Sequence, residues 1–516
     1  MALPLVLPAQ AQSVLRVGNG AEPETLDPHQ GQGVSAGNIV RDLYEGLTSQ
    51  SPSGAVAGGA AERWEVSADG RVYTFHLRPG ARWSSGEAVT ADDFVAGLRR
   101  SADPAAGARY PEILAPIENA EDVSAGRLPP DRLGAVAPDA HTVVIRLAQP
   151  TPYFLQVLSH PASFPVYRPN LLRYGREFAR PGRLVGNGAY TLVEWAVQSR
   201  IVLVRNRNYW DDAHTAIDRV EYYPTEDLAS ELKRYRAGEL DLTSAIPMAQ
   251  AAWVRRTLGA ELHLAPYLGT YFYGFNLARA PFAGNANLRR ALSMAVDREL
   301  IAGKLLQGAA LPAYGLLPPG MPGYPPARPD WADWPASRRI AQARALYAQA
   351  GYSDQHPLQV ELRFNTSEDN RRIALLVAAM WQQRLGVRTQ LVNEEWKVFL
   401  QNRRLRSATQ AFRVSWIGDY ADPMAFARIL RSSDGRNDEA YDSPAYDALL
   451  AAASAQADAP RRAALFAQAE QRLAADTPIL PIFHYLSKHL VKPYVDGWSD
   501  NPLDVHYTKD LRLRPH

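Results

Sequence analysis

The residues best suited to chemistry lie between positions 413 and 423, where Asp419 stands among apolar and aromatic side chains such as Trp416 and Tyr420. A carboxylate in such surroundings is costly to desolvate unless a cation pairs with it. Aromatic faces attract cations as well, so this segment is suited to binding the ammonium group of a ligand. The alternative is an acid that serves a turn, because Asp-Tyr-Ala-Asp-Pro at 419–423 has turn chemistry.

Periodic apolar patterns predict the elements that position this segment. The short apolar run in which Asp419 stands is typical of the end of a strand. Residues 358–364 alternate as a half-buried strand does, the apolar positions between 373 and 381 fit a helix that ends at Gly386, and residues 387–392 predict a second strand. This order is a βαβ unit, which joins parallel strands by a right-handed crossover.

Other parts of the chain predict further elements. Residues 72–77 follow an Asp-Gly turn and indicate a hairpin strand, and residues 142–147 form another β-rich run. Residues 45–167 therefore look like a separate α+β insertion. The apolar face of residues 288–296 predicts a helix, and the Pro-rich run 316–335 predicts a loop.

The composition restricts the class of protein. A chain of 516 residues exceeds a single hydrophobic core, and 46% apolar with 21% charged residues is typical of soluble globular proteins. The net charge of +2 gives no indication of a nucleic-acid partner. Because the sequence contains no cysteine, we expect no disulfides, no thiolate metal site and no lipid-modified N-terminal cysteine.

The first eleven residues resemble the remnant of an export signal. Residues 2–7 are mostly apolar, and Ala9-Gln10-Ala11 has the small-x-small form of a signal-peptidase site. A frayed apolar end is the alternative. No other segment approaches the roughly eighteen consecutive apolar residues that span a bilayer.

Motifs of catalysis and metal binding are weak. Gly33-Val-Ser35-Ala-Gly37 matches the pattern of a hydrolase nucleophile elbow. Such an elbow needs a strand before the serine, and residues 26–32 make a poor strand. A serine peptidase that uses Ser35 is therefore the alternative only if the protein is an enzyme. No nucleotide-binding loop occurs. The histidines, including His484 and His489, are scattered and are expected to be structural or solvated. We therefore predict no catalytic residues, no metal and no cofactor.

Motifs along nearly the whole chain resemble those of bacterial periplasmic oligopeptide-binding proteins, the receptors of peptide-importing ABC transporters. Their order and spacing together carry the resemblance. They are Leu26-Asp27-Pro28-His29, Arg41-Asp-Leu-Tyr-Glu-Gly-Leu47, Tyr73-Thr-Phe-His-Leu-Arg78, Trp83-Ser-Ser-Gly-Glu-Ala-Val-Thr-Ala-Asp-Asp-Phe94, Asn187-Gly-Ala-Tyr-Thr191, Asn208-Tyr-Trp210, Tyr235-Arg-Ala-Gly-Glu-Leu-Asp241, Leu490-Val-Lys-Pro493 and Pro502-Leu-Asp504.

The resemblance implies an α/β, two-lobed periplasmic-binding-protein fold with an extra third α+β domain and the ligand enclosed between the lobes. Residues 12–44, 168–268 and 487–516 would form domain I, residues 45–167 domain II, and residues 269–486 domain III. The two crossings near residues 268 and 487 would form a hinge that is suited to domain closure.

The resemblance also implies a set of binding residues. Asp419 would pair with the α-ammonium of a peptide, and residues 32–34 and 415–417 (Gln32, Gly33, Val34, Ser415, Trp416 and Ile417) would flank the peptide backbone. Arg403 and Arg413 would be candidates for the terminal carboxylate, because planar guanidinium suits bidentate pairing; ordinary ion pairs are the alternative. Six further residues would line the binding site or hydrogen-bond to the peptide, and for the aromatic ones ordinary core packing is the alternative. They are Tyr110, Tyr267, Asn365, Trp396, Trp416 and Tyr485.

Some positions depart from the resembled family. Gln32 stands in place of a glutamate, Asn370 in place of a histidine, and Leu306 in place of a lysine, so the mode of carboxylate binding stays open, as does the preferred peptide length. Murein-derived peptides are the alternative ligands. Gly269 and Ile417 stand where some members carry a cysteine pair.

The partners that the resemblance implies are short peptides with a free N-terminus and the membrane permease of an ABC transporter, with no nucleic acid. A monomer free in the periplasm is expected.

Overall fold

The computed structural model describes residues 12–321 and 323–515, apart from the side chain of Lys397. The predicted export-signal remnant, residues 1–11, lies outside this part of the chain. The strands are, in chain order, β1 (Val14–Gly18), β2 (Thr48–Gln50), β3 (Val56–Gly58), β4 (Ala61–Val66), β5 (Val72–Leu77), β6 (Ala135–Asp139), β7 (Thr142–Arg146), β8 (Tyr190–Ala196), β9 (Arg200–Arg205), β10 (Arg219–Tyr223), β11 (Leu262–Phe275), β12 (Ala310–Pro312), β13 (Gln359–Asn365), β14 (Arg388–Glu394), β15 (Ala411–Ile417), β16 (Ile479–Leu490), β17 (Val495–Asp496) and β18 (Arg512–Leu513).

Helices connect and cover these strands. In the described ranges none is both long and apolar enough to cross a bilayer. The α-helices are α1 (Gly33–Leu43), α2 (Ala91–Ala102), α3 (Ala120–Ser124), α4 (Phe154–Val157), α5 (Arg168–Tyr174), α6 (Leu228–Arg236), α7 (Ala251–Thr257), α8 (Ala286–Met294), α9 (Arg298–Leu300), α10 (Ala336–Gln349), α11 (Glu368–Leu385), α12 (Trp396–Arg404), α13 (Met424–Ala427), α14 (Pro444–Ala455) and α15 (Ala459–Asp476).

Three larger sheets organise the molecule. The first has the strand order β1-β10-β9-β8, the second β4-β5-β7-β6, and the third β12-β16-β11-β15-β13-β14. The second sheet is antiparallel throughout, as suits a local meander with helices on one face. The third is mixed, because β13 runs parallel to both of its neighbours while β11 runs antiparallel to β15 and β16.

The two long strands of the third sheet pass both predicted hinge positions. β11 and β16 pair from Leu262 opposite Leu490 to Gly274 opposite Ile479, with an irregularity in the pairing between Pro266 and Thr270. Isolated bridges then tie Leu242 to Val491, the residue after β16, and to Val17 of β1. The pair β11–β16 therefore reaches from the third sheet to the first.

One hydrophobic core is shared by distant parts of the chain. It joins Leu15 and Ile39 near the N-terminus with Tyr190 and Val220 of the first sheet and with Leu511 near the C-terminus. A discontinuous domain needs such a core. The boundaries given above for the domains stay predictions.

The elements predicted from periodicity are confirmed. β13, α11 and β14 form the βαβ unit, with Ser367 capping the helix and Gly386 ending it in the left-handed region at φ +74°. β5 pairs with β4 across the Asp-Gly turn and with β7 on its other side. The helix predicted over 288–296 is α8, and the predicted strand end near Asp419 is that of β15, which ends at Ile417.

Candidate functional site

Two adjoining cavities, of about 330 and 740 Å³, border the start of α1. The smaller one is closed on its other side by the end of β15 and the residues that follow it, the larger one by the end of β16. They share lining residues, including Gly33, Val34, Tyr110 and Tyr267, so we treat them together as the cleft. The C-terminal residues around Asp504 form part of its floor. The cleft thus collects segments that are far apart in the sequence.

Asp419 reaches the cleft because β15 ends just before it. The N–H of Gly418 donates to the carbonyl of Leu268 at 2.8 Å, which holds the chain where it leaves the sheet. Tyr420 then turns away and stacks on Tyr153, with ring centroids 4.3 Å apart. Asp419 is left on the wall of the smaller cavity, half-buried.

The acid that stabilises the turn in residues 419–423 is Asp422, not Asp419. Asp422 accepts the N–H of Met424 at 2.9 Å, and its two oxygens accept from the guanidinium of Arg462 at 2.6 and 2.8 Å. Asp422 is therefore the structural carboxylate of residues 419–423. Asp419 accepts no hydrogen bond and forms no ion pair within residues 12–321 and 323–515.

The Asp419 carboxylate lies near three arginines but forms no ion pair with any of them. Burial raises the pKa of its carboxyl group, and Arg428, Arg436 and Arg41 oppose that rise. Arg436 is itself paired with Glu112 at 3.4 Å and lies over the Trp416 ring at 4.9 Å. Arg436 is thus already paired with another carboxylate. The Asp419 carboxylate has no close partner in the described chain. An ammonium group can supply one.

The backbone beside Asp419 presents a strand edge. On one side β15 pairs with β11 along its whole length, from Ala411 to Ile417. On the other side β13 pairs only with Ala411 and Phe412. From Arg413 to Ile417 this side has no strand partner in the described part of the chain, so its N–H and C=O groups can pair with an extended ligand.

The opposite wall is the first turn of α1. Gln32 precedes the helix and makes no side-chain capping bond, and Gly33 adopts a left-handed φ of +81°. The first N–H groups of a helix have no partner within the helix. Val34, 55% exposed, presents an apolar contact surface to the cleft.

Most predicted site residues line the cleft. Asp419 shares the smaller cavity with Ser415, Trp416, Ile417, Tyr110 and Tyr267, whereas the larger cavity is lined by Gln32, Trp396 and Tyr485, and Gly33 and Val34 line both. The indole N–H of Trp416 donates to the carbonyl of Ala425 at 2.7 Å, which fixes its ring. Binding roles for these residues stay predictions.

The predicted arginines and asparagines are engaged with neighbouring side chains. Arg413 donates to Oδ1 of Asn365 at 3.3 Å and to the Tyr485 hydroxyl at 3.5 Å, and Asn370 donates to the same Asn365. Arg403 instead pairs with Asp438 at 2.6 Å. None of these four predicted residues lines the two cavities.

Two departures from the resembled family are explained by packing. Leu306 is buried in the core of the third sheet, away from the cleft. Gly269 lies opposite Ile417 in the pairing of β11 with β15, and the Ile417 Cδ1 atom lies 2.5 Å from where a Cβ atom at position 269 would be. A side chain on one strand thus fills the space where some family members have a cysteine pair.

Ser35 lacks the surroundings of a catalytic serine. It lies in the first turn of α1, and residues 26–32 form no strand. Its carbonyl accepts the Asn19 amide at 2.9 Å. A nucleophile elbow needs a strand before the serine, so the sequence match has no structural counterpart.

Sequence reasoning missed several residues that line the cleft. Asn38 and Arg41, about one and two turns along α1, line the smaller cavity, and Asp504 and His489 line the larger one. Arg41 and Asp504 stand inside motifs that were recognised, which is the signal that could have found them. The histidine offered no such signal, because its neighbours come from separate segments.

Comparisons with known proteins agree on one family. The model of bacterial extracellular solute-binding proteins, family 5 Middle, matches residues 55–438. The periplasmic oligopeptide-binding protein OppA of Escherichia coli is 38% identical over 512 residues, which are 98% of this chain and 94% of that protein.

Solved structures match as widely. The murein tripeptide binding protein MppA of Escherichia coli has a TM-score of 0.89 at 36% identity, covering 98% of this chain and 99% of that one. OppA of Haemophilus influenzae in complex with RPPGFSPFR has a TM-score of 0.87 at 35% identity, with coverage of 98% and 99%. The predicted two-lobed α/β fold is thereby confirmed.

Proposed function

Because the chain belongs to the bacterial extracellular solute-binding proteins, family 5, we propose that it is a periplasmic receptor for short peptides that delivers them to the permease of an ABC importer. Relatives are described as oligopeptide-binding, and one was solved with RPPGFSPFR. The chain binds and releases its ligand without chemical change, so it is not an enzyme. It acts as a monomer.

The observation that carries this proposal is Asp419, a half-buried carboxylate without a close partner at the end of an unpaired strand edge. A peptide extends along residues 413–417 as an added strand, and its α-ammonium pairs with Asp419. Backbone hydrogen bonds ignore side-chain identity, so the receptor accepts many sequences. The free N-terminus is the group it requires.

The larger cavity suits varied side chains. Its volume of about 740 Å³ exceeds the needs of one side chain, and Gln32, Trp396 and Tyr485 give it mixed polar and aromatic walls. Water can bridge the gaps that a given peptide leaves. Of the two candidate arginines, Arg413 is held by neutral groups and Arg403 by a carboxylate, so Arg413 is the better partner for the peptide carboxylate.

Murein-derived peptides are the second candidate ligands. The observation in their favour is the TM-score of 0.89 to a murein tripeptide binding protein. Gln32 and Asn370 are neutral at positions where the resembled oligopeptide receptors carry ionisable side chains. Gln32 lines the larger cavity, and a neutral side chain there does not repel the additional carboxylates of such a peptide as a glutamate would.

Calorimetry on the ligand-free full chain tests the proposal. The protein is denatured, freed of bound ligand, refolded and titrated with a tripeptide, its N-acetylated form and a murein tripeptide; mass spectrometry of the released material identifies the natural ligand. We expect one tripeptide per chain and a loss of about a hundredfold or more in affinity on acetylation. Equal affinities for the free and acetylated forms, or no binding of any peptide, would contradict the proposal.

A further inference from the structure

Two histidines and an aspartate meet at the floor of the larger cavity. His489 belongs to β16, and Asp504 and His506 follow in the C-terminal segment. Nε2 of His489 lies 2.9 and 3.0 Å from the two oxygens of Asp504, and Nε2 of His506 lies 3.1 Å from one of them. The side chains are only 11 to 14% exposed. One ligand atom of each residue lies within 4.8 Å of the other two.

We propose that His489, Asp504 and His506 form a binding site for a divalent late first-row transition-metal ion such as Zn²⁺, Ni²⁺ or Cu²⁺. Two imidazoles and a carboxylate are ligands that such ions accept. A four-coordinate ion with bonds of about 2.1 Å holds its ligand atoms about 3.4 Å apart. The ion would take the place of the protons that now join each Nε2 atom to Asp504. Each imidazole would then have to withdraw from Asp504 by only a few tenths of an ångström.

The orientation of His489 is fixed as in a metal ligand. Its Nδ1 lies 2.9 Å from the carbonyl oxygen of Thr243, and the Thr243 hydroxyl accepts the N–H of Leu490 at 2.9 Å. A carbonyl only accepts, so Nδ1 carries a hydrogen and donates it. Ligating histidines commonly donate their second N–H to a carbonyl or carboxylate, which sets the tautomer and the ring orientation. Nε2 is thereby directed at Asp504.

The aspartate is held in an unusual backbone conformation. Asp504 has a left-handed φ of +55°, which is uncommon for residues other than glycine. Its N–H donates to the carbonyl of Asn501 at 3.1 Å, and the buried Asn501 side chain bonds both the N–H and the carbonyl of Val505. Such conformations persist where the surroundings impose them, and they cluster at functional sites. This turn brings the carboxylate between the two imidazoles.

One side of the cluster is covered and the other is open. Trp498 stacks on His506 with ring centroids 3.7 Å apart and lies 5.1 Å from His489. The larger cavity borders the same residues, so water or a donor atom of a bound molecule can complete the coordination. His263 lies 5.8 Å from Trp498 but pairs with Asp500, outside the cluster, which makes it a matched control.

The test is metal binding by the full chain without a histidine tag, stripped with a chelator and free of peptide. Zn²⁺ and Cu²⁺ are titrated by calorimetry, and Cu²⁺ also by quenching of tryptophan fluorescence. We expect one ion per chain, and at least a tenfold loss of affinity in His489→Gln and in His506→Gln, with no loss in His263→Gln. Trp498→Phe should remove most of the quenching while the calorimetric affinity stays.

Electron paramagnetic resonance of the Cu²⁺ form of the unaltered chain gives a readout that needs no variant. Coupling to two imidazole nitrogens is expected. No saturable binding, the same affinity in the unaltered chain and both histidine variants, or a spectrum without imidazole coupling would overturn the proposal. Because every measurement uses peptide-free protein, its outcome is separate from that of the proposed peptide binding.

Discussion

Replacing Asp419 by Asn should remove most of the affinity for peptides. The two side chains have the same shape, so the fold is retained while the ligand ammonium loses its anion. Breaking a buried ion pair by removing one member costs roughly 3–5 kcal/mol, a factor of about one hundred to several thousand in Kd. Arg428, Arg436 and Arg41 remain nearby and repel the ammonium, which favours the upper part of that range.

A double-mutant cycle isolates the pair. Calorimetry gives the Kd of a tripeptide and its N-acetylated form for the unaltered chain and for Asp419→Asn. If the carboxylate binds the ammonium, acetylation is costly for the unaltered chain and nearly neutral for the variant. Glu112→Gln is the matched control, because Glu112 pairs with Arg436, one of the arginines near Asp419, but is 39% exposed and outside the cleft. The Glu112→Gln substitution should weaken peptide binding by less than about 1 kcal/mol.

Two results would refute this reasoning. An additive cycle, with acetylation equally costly in both proteins, would mean that the ammonium binds elsewhere. A loss below about 1 kcal/mol in a folded, peptide-free Asp419→Asn variant would mean that the carboxylate is an ordinary surface acid.

Three further outcomes are expected. A ligand closes two lobes only by binding the closed state better, so X-ray scattering should show a smaller radius of gyration with peptide; identical profiles of peptide-free and saturated protein would contradict closure. Fluorogenic peptides should stay intact, and hydrolysis that disappears in Ser35→Ala would instead establish a peptidase. Burial raises the pKa of Glu439 from 4.5 to about 8, so the folded chain holds this proton more tightly and stability falls as pH rises across that interval. The free energy of unfolding, measured with urea at several pH values, should fall less steeply with pH in Glu439→Gln than in the unaltered chain. The same dependence on pH in both proteins would refute the assignment.

The parts of the fold that follow from the sequence are those set by local patterns. The βαβ unit could be predicted because the periods of 2 and 3.6 residues change where β13 ends and α11 begins. The separation of β13 from β15 after Phe412 could not, because strand pairing depends on residues distant in the chain. That separation is what leaves the edge of β15 open.

The same limit applies to the site. The turn residues alone do not show which of Asp419 and Asp422 is the structural acid; only the resemblance to the family singled out Asp419. The distinction comes from Arg462, forty residues later, which neutralises Asp422. The cluster of His489 with Asp504 was missed because its geometry depends on a left-handed residue and a distant carbonyl.

The two candidate arginines show how partners decide a role. A peptide carboxylate at Arg403 would have to displace Asp438, whereas at Arg413 it would replace only neutral contacts with Asn365 and Tyr485. At about 3.3 Å per residue, residues 413–417 span roughly 13 Å. A peptide anchored at Asp419 and laid along this edge would therefore bring its carboxylate near Arg413 when it has about three to five residues. The strand that binds the peptide backbone would then also set the preferred length, without any contact to the peptide side chains.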